Sequence, residues 1–238
     1  MKKQPILKFG ISSLLIGLLS LTGIAQETKV TDSVSLTRNY GLRVGLDISK
    51  PIRSFLDDEY SGLELVADYR ITENLYIAGE IGTEERTLRT DYLDVTAQGS
   101  YFKAGVDYNV YQNWLDMDNM IFGGIRVGAS TFSQTINSFT VYTTDQYWEP
   151  QFTDNSAQEF KGLTALWTEL ILGLKAELFN NVYMGANIQF KYMLSQNQPD
   201  NFENLYVPGF NKTYDSSKFG VGFGYNISYL IPLYKKGI

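Results

Sequence analysis

The chain has no cysteine and no histidine. Without thiols there is no disulfide framework, no thiolate metal site and no lipid anchor attached through a cysteine. Without imidazole, a general base near neutral pH would have to be a perturbed carboxylate. Positive charge is also in the minority: 20 Lys and Arg against 26 Asp and Glu. So acidic a chain is a poor partner for nucleic acid, whose binding runs on Lys and Arg neutralising phosphates. Beyond the N-terminus no segment is long and apolar enough for a transmembrane helix. There is no calcium-loop spacing around Asp57-Asp58-Glu59 or Asp116 and Asp118, and no phosphate-binding glycine loop or serine-nucleophile motif. These sequence features call for no cofactor and no metal, and nominate no catalytic residue.

What is present begins with an export signal. Lys2, Lys3 and Lys8 precede an apolar run from Ile11 to Leu21, and Gly23-Ile24-Ala25 offers small residues at a cleavage site. The expected division is a signal peptide over 1–25, a periplasmic N-terminal tail over 26–38, a barrel over 39–234 and a C-terminal tail over 235–238.

Eight stretches then alternate residue by residue, the signature of strands. In 166–178 the even positions are Leu166, Thr168, Leu170, Leu172, Leu174, Ala176 and Leu178, while Glu169, Gly173, Lys175 and Glu177 lie between them. Similar rows start at Tyr40, Leu63, Leu75, Phe102, Ile121, Val182 and Phe219, and one face of all eight carries no charge. An uncharged apolar face opposite a glycine-rich, charged face is what a membrane-spanning barrel needs. Short connections at 72–74, 112–119 and 179–181 alternate with long ones at 50–61, 86–97, 133–163 and 195–217. Rings near the short connections (Tyr69, Tyr76, Tyr108, Tyr111, Trp114, Phe179, Tyr183, Tyr229 and Tyr234) form an aromatic belt at a membrane interface. The expected fold is all-β, an up-and-down eight-stranded antiparallel transmembrane β-barrel, with ten strands as the alternative. A soluble lipocalin-like barrel would explain the alternation but neither the export signal nor the loop pattern. An even strand count puts both termini in the periplasm and the protein in the cell outer membrane.

The apolar rows of 166–178 and 182–192 share even parity, so facing residues must have numbers that sum to an even value. A three-residue turn with Asn181 left-handed satisfies this and sets Glu169 opposite Lys191.

These patterns resemble the small eight-stranded outer-membrane barrels of Gram-negative bacteria, the OmpA and OmpX type and the PorT-like barrels, over about residues 39–234. The run Gly222-Phe223-Gly224-Tyr225-Asn226-Ile227-Ser228-Tyr229 is similar to the aromatic last strand of such proteins, although this chain continues past Tyr234. The resemblance implies the fold and leaves the role open.

A barrel of eight strands has room inside only for its own side chains. The inner face offers Arg43, Arg70, Lys103, Arg126, Lys175 and Lys191 against Asp47, Glu64, Asp68, Glu80, Asp107, Glu169 and Glu177, a mutually paired polar plug. Rings remain in two long loops: Tyr142, Tyr147, Trp148 and Phe152 in one, Phe202, Tyr206 and Phe210 in the other. Aromatics among Asn, Gln and Thr suit protein interfaces and sugar platforms. The first expectation is therefore a non-catalytic structural or interaction protein, an accessory subunit of an envelope assembly. Its partners would be outer-membrane lipid and other envelope proteins or glycans. An enzyme acting on lipid or peptide without histidine, or a narrow transporter, is the alternative.

Overall fold

A computed structural model describes residues 37–111, 118–141, 152–214 and 216–237. The signal peptide, most of the N-terminal tail, Trp114, Asp116, Tyr142, Tyr147 and Trp148 lie outside the described residues. Among the described residues no helix is long and apolar enough to cross a membrane.

Eight strands close into an antiparallel ring: β1 (Thr37–Asp47), β2 (Tyr60–Arg70), β3 (Leu75–Arg89), β4 (Leu93–Asn109), β5 (Met120–Val141), β7 (Gln158–Phe179), β8 (Val182–Gln196) and β11 (Phe219–Gly237). Each pairs with its neighbours in sequence, and β11 closes on β1. The three-residue β6 (Phe152–Asp154) only extends the edge of β5, and β9 (Tyr206–Val207) pairs with β10 (Asn211–Lys212) apart from the ring. The ten-stranded alternative is set aside.

The inversion expected of a membrane barrel is complete. Leu42, Leu65, Ile77, Phe102, Ile125, Leu172, Ile188 and Phe223 are exposed on the outer face, while charged and aromatic side chains are buried inside. Such burial is tolerated only because nearly every inner charge meets a partner.

Four differences from the sequence reading have physical causes. Most of 86–97, all but the 90–92 turn, and most of 133–163 are strand, because β3, β4, β5 and β7 run on past the apolar rows. There the outward residues become Thr83, Gln98, Ser100, Thr131, Ser133 and Thr164, while Val95, Ala97, Phe132, Ile136 and Leu163 stay buried within. Residues 49–56 form a helix, α1 (Ser49–Leu56), in what read as an open loop. The 180–181 turn has two residues, with Asn181 at φ 65°, and a bulge between Glu177 and Phe179 restores the even parity. Tyr76 and Tyr183 of the expected belt point inward and are buried.

Candidate functional site

The lumen is filled in layers. Nearest the short turns, Arg70 forks onto Asp118 with bonds of 3.2 and 3.1 Å. One step inward, Arg43 Nε donates to Asp68 Oδ1 at 2.6 Å, and Lys175 donates to the other Asp68 oxygen at 2.5 Å. The Arg43 guanidinium lies 4.8 Å from the ring centre of Tyr76 and 5.1 Å from that of Tyr183, so its planar faces are covered by π density. Met120, Phe122 and Ile171 pack with Tyr76 as an apolar layer.

The middle layer centres on Lys103. Its ammonium reaches Glu80 at 2.5 Å and Glu64 at 3.2 Å, and Glu169 stands 4.0 Å away. Tyr101 donates to Glu64 at 2.5 Å and the Trp167 indole donates to Glu169 at 2.7 Å. Arg126 donates to Asp107 at 2.9 Å and lies 3.6 Å from Glu80. Lys191 is 3.6 Å from Glu169, its partner across the β7–β8 ladder, as the parity argument requires. The gap left among Glu80, Asp107, Arg126, Lys175 and Asn226 is about 20 Å³. That is room for roughly one water molecule, and no room for a solute.

Above this the mouth is stoppered by the loop between β8 and β11. Val207-Pro208-Gly209-Phe210 makes a tight turn, closed by the Phe210 N–H donating to the Val207 carbonyl at 3.0 Å. Gly209 has φ +82°, and a Cβ there would stand 2.6 Å from the Tyr101 ring. Proline then glycine at the two corner positions suits such a turn, and glycine alone also fits beneath Tyr101. Phe210 enters a cluster of Tyr101, Phe132, Leu163, Trp167, Met193 and Val207. Lys191 donates to the Gly209 carbonyl at 2.6 Å, and Glu84 accepts from the Gly209 N–H at 2.9 Å and the Tyr206 hydroxyl at 2.8 Å. Glu84 also accepts from Tyr60 at 3.0 Å and pairs with Lys50 of α1.

The thirteen ionisable residues assigned to the plug all lie on the inner face. Eleven are buried, and Glu80 and Glu177 are half-buried. Asp47 accepts from the Ser49 and Tyr225 N–H groups, and Glu177 from those of Asp118 and Asn181, so these two pin backbone instead of pairing with cations. Tyr206 and Phe210, nominated as partner contacts, are corrected: both are only 2% exposed, because the loop that carries them folds into the lumen. Phe152 remains 59% exposed on β6. Sequence reading missed Glu84 and Lys50. Extending the inward parity of β3 from Glu80 would have found Glu84. Among the acids near α1, Asp57 is held by Arg86, whose hydrogen bond lowers its carboxyl below the ordinary range. Among the described residues no group of acids could hold a metal ion.

Outside the stopper, the prolonged strands carry a cleft of about 860 Å³. Phe139 of β5, Phe160 of β7, Leu93 of β4 and Phe202 supply its apolar wall, with Gln158, Asn197 and Asn201 around them. Of the nominated rings among the described residues, Phe202 is the one that lines this cleft.

An antiparallel ring of eight strands, charged within and aliphatic without, defines a small outer-membrane-type β-barrel. The chain belongs to the family described as Domain of unknown function (DUF6048), whose model matches residues 6–236. It is similar to the crystal structure of Neisserial surface protein A, NspA, at 10% identity and a TM-score of 0.42, covering 82% of this chain and 99% of that one. It is similar to Ail, the attachment invasion locus protein of Yersinia pestis, at 8% identity and a TM-score of 0.40, covering 85% and 100% of the two chains. Among curated proteins, none matches the chain.

Proposed function

We propose that this protein is a non-catalytic barrel of the cell outer membrane, with its termini in the periplasm, that works as an interaction subunit through its long-loop end. The observation that carries the reading is the cleft walled by Phe139, Phe160 and Phe202, which stands beyond the last lipid-facing rows and opens outward. Its apolar wall and amide rim suit a segment of another envelope protein. The transport alternative is disfavoured because stopper and ion pairs close the lumen. The enzyme alternative is disfavoured because the lumen carboxylates lie beneath that stopper, engaged by cations, tyrosines or backbone N–H groups.

The test is tagged purification in mild detergent after cross-linking of intact cells. Wild-type protein should bring down stoichiometric envelope partners. Phe160→Ser should lose them while migrating in unheated gels as a folded barrel. Wild-type protein that emerges alone and monomeric overturns the interaction reading.

A further inference from the structure

The ring of strands is closed at the level of β1 but not above it. β1 ends at Asp47, opposite Asn226 of β11, and its last pairing with β2 joins Leu46 to Leu65. Beyond those points β11 continues from Tyr225 up to Phe219 and pairs with β8 alone. β2 likewise continues from Glu64 up to Tyr60 and pairs with β3 alone. Two strand edges therefore face each other across a notch, and α1 occupies it. The Ile48 N–H donates to the Tyr225 carbonyl at 2.7 Å on one side, and Ser54 Oγ accepts from the Gly62 N–H at 2.9 Å on the other.

The helix has two unlike faces. Lys50 reaches into the lumen to Glu84, Arg53 stacks 3.9 Å from the ring centre of Tyr60, and Ser54 meets β2. Ile52, Phe55 and Leu56, at helical spacing on the opposite side, are 52%, 88% and 76% exposed. The outward rows that border the notch are apolar as well: Leu63 and Leu65 on β2, and Phe219, Val221, Phe223 and Tyr225 on β11. The apolar belt of the barrel thus passes without interruption from β2 across the helix to β11.

An open sheet edge is not tolerated in hydrocarbon, whereas a helix satisfies its own backbone and can stand in for a missing strand. We propose that α1 is a lipid-contacting segment of the barrel wall, on which acyl chains of the outer leaflet pack against Ile52, Phe55 and Leu56. This rests on the outer-membrane reading above. Its consequence is a seam between β2 and β11 held by isolated bonds, the Ile48 N–H on the Tyr225 carbonyl and the Gly62 N–H on Ser54 Oγ, with Lys50 tying the helix to Glu84 of β3, where every other wall junction is held by a backbone ladder.

The absence of native cysteine makes the test direct. Phe55→Cys and, separately, Leu56→Cys are labelled with a nitroxide in protein reconstituted into phospholipid vesicles. Relaxation by oxygen, which concentrates in acyl chains, is compared with relaxation by a water-soluble nickel chelate. Leu172→Cys on the outer belt and Arg89→Cys at the long-loop end calibrate the two extremes. The expected result is a several-fold preference for oxygen at both helix sites, of the Leu172 type. Nickel access of the Arg89 type, or exclusion of both reagents, overturns the inference while leaving the barrel reading intact. An aqueous signal at Leu172 itself overturns the membrane reading and the inference together.

Discussion

Glu84 receives four donors: the Lys50 ammonium, the Tyr60 and Tyr206 hydroxyls and the Gly209 N–H. It therefore joins helix, wall and stopper at one buried point. Glu84→Gln keeps the shape but takes the paired carboxylate from the largely buried Lys50 ammonium, a change that costs about 3–5 kcal/mol. Urea unfolding in detergent, followed by fluorescence, should show that loss, and adding Lys50→Met should recover most of it. A single variant as stable as wild type would mean that the carboxylate does not bear the stopper. A second single-residue effect belongs to Asn181, which sits at φ 65° in the β7–β8 turn. Asn181→Gly should be neutral, whereas Asn181→Val should cost about 1–2 kcal/mol, because a β-branched side chain resists the left-handed region. The same unfolding assay reads both.

Within the apolar belt, the eight strands were legible because a two-residue period with one wholly uncharged face fits a membrane-spanning strand and little else. Beyond the belt the signal fades, since Thr83, Gln98, Thr131 and Thr164 replace aliphatic residues on the outward side. Val95, Ala97, Ile136 and Leu163 still face inward there, but alternation between small polar and mixed inner residues reads as loop. α1 was hidden for another reason: its eight residues sit in a polar connection, and only the spacing of Ile52, Phe55 and Leu56 marks them as one face. The belt itself yields a direct test on β7. Leu172 is 53% exposed on the outer side, so Leu172→Arg should cost about 2–4 kcal/mol if lipid covers it. The neighbouring Gly173 faces inward, but it is no silent control. A Cβ there would lie 2.5 Å from the Phe122 ring, so Gly173→Ala should cost about 1–3 kcal/mol through overpacking. Equal stability of Leu172→Arg and wild type in a lipid bilayer would place that face outside the membrane.

The barrel as a whole is closed twice, by the charged middle layer and by the apolar stopper above it. Parity sorts the ionisable residues onto one face, and adjacent-strand register gives the Glu169–Lys191 pair. Contacts across the lumen were beyond its reach. Asp68 with Lys175, and Glu84 with Tyr206, depend on how the ring closes and which loop turns inward. Loop aromatics look alike in sequence whether they face a partner or a core, which is why Tyr206 and Phe210 were misplaced. The double closure has a measurable consequence. In planar lipid bilayers the protein should pass no steady current. Replacing Val207-Pro208-Gly209-Phe210 with a Gly-Ser turn should weaken the fold without opening a conductance. The Lys103 layer touches the stopper through Lys191, Tyr101 and Trp167 but has its own ion pairs, and it leaves a gap for only about one water molecule. Lys103→Met should then destabilise the barrel by about 3–5 kcal/mol, because Glu64, Glu80 and Glu169 share that ammonium. A steady current through the stopper-less protein would instead make the stopper the sole seal, and the transport reading would have to be taken up again.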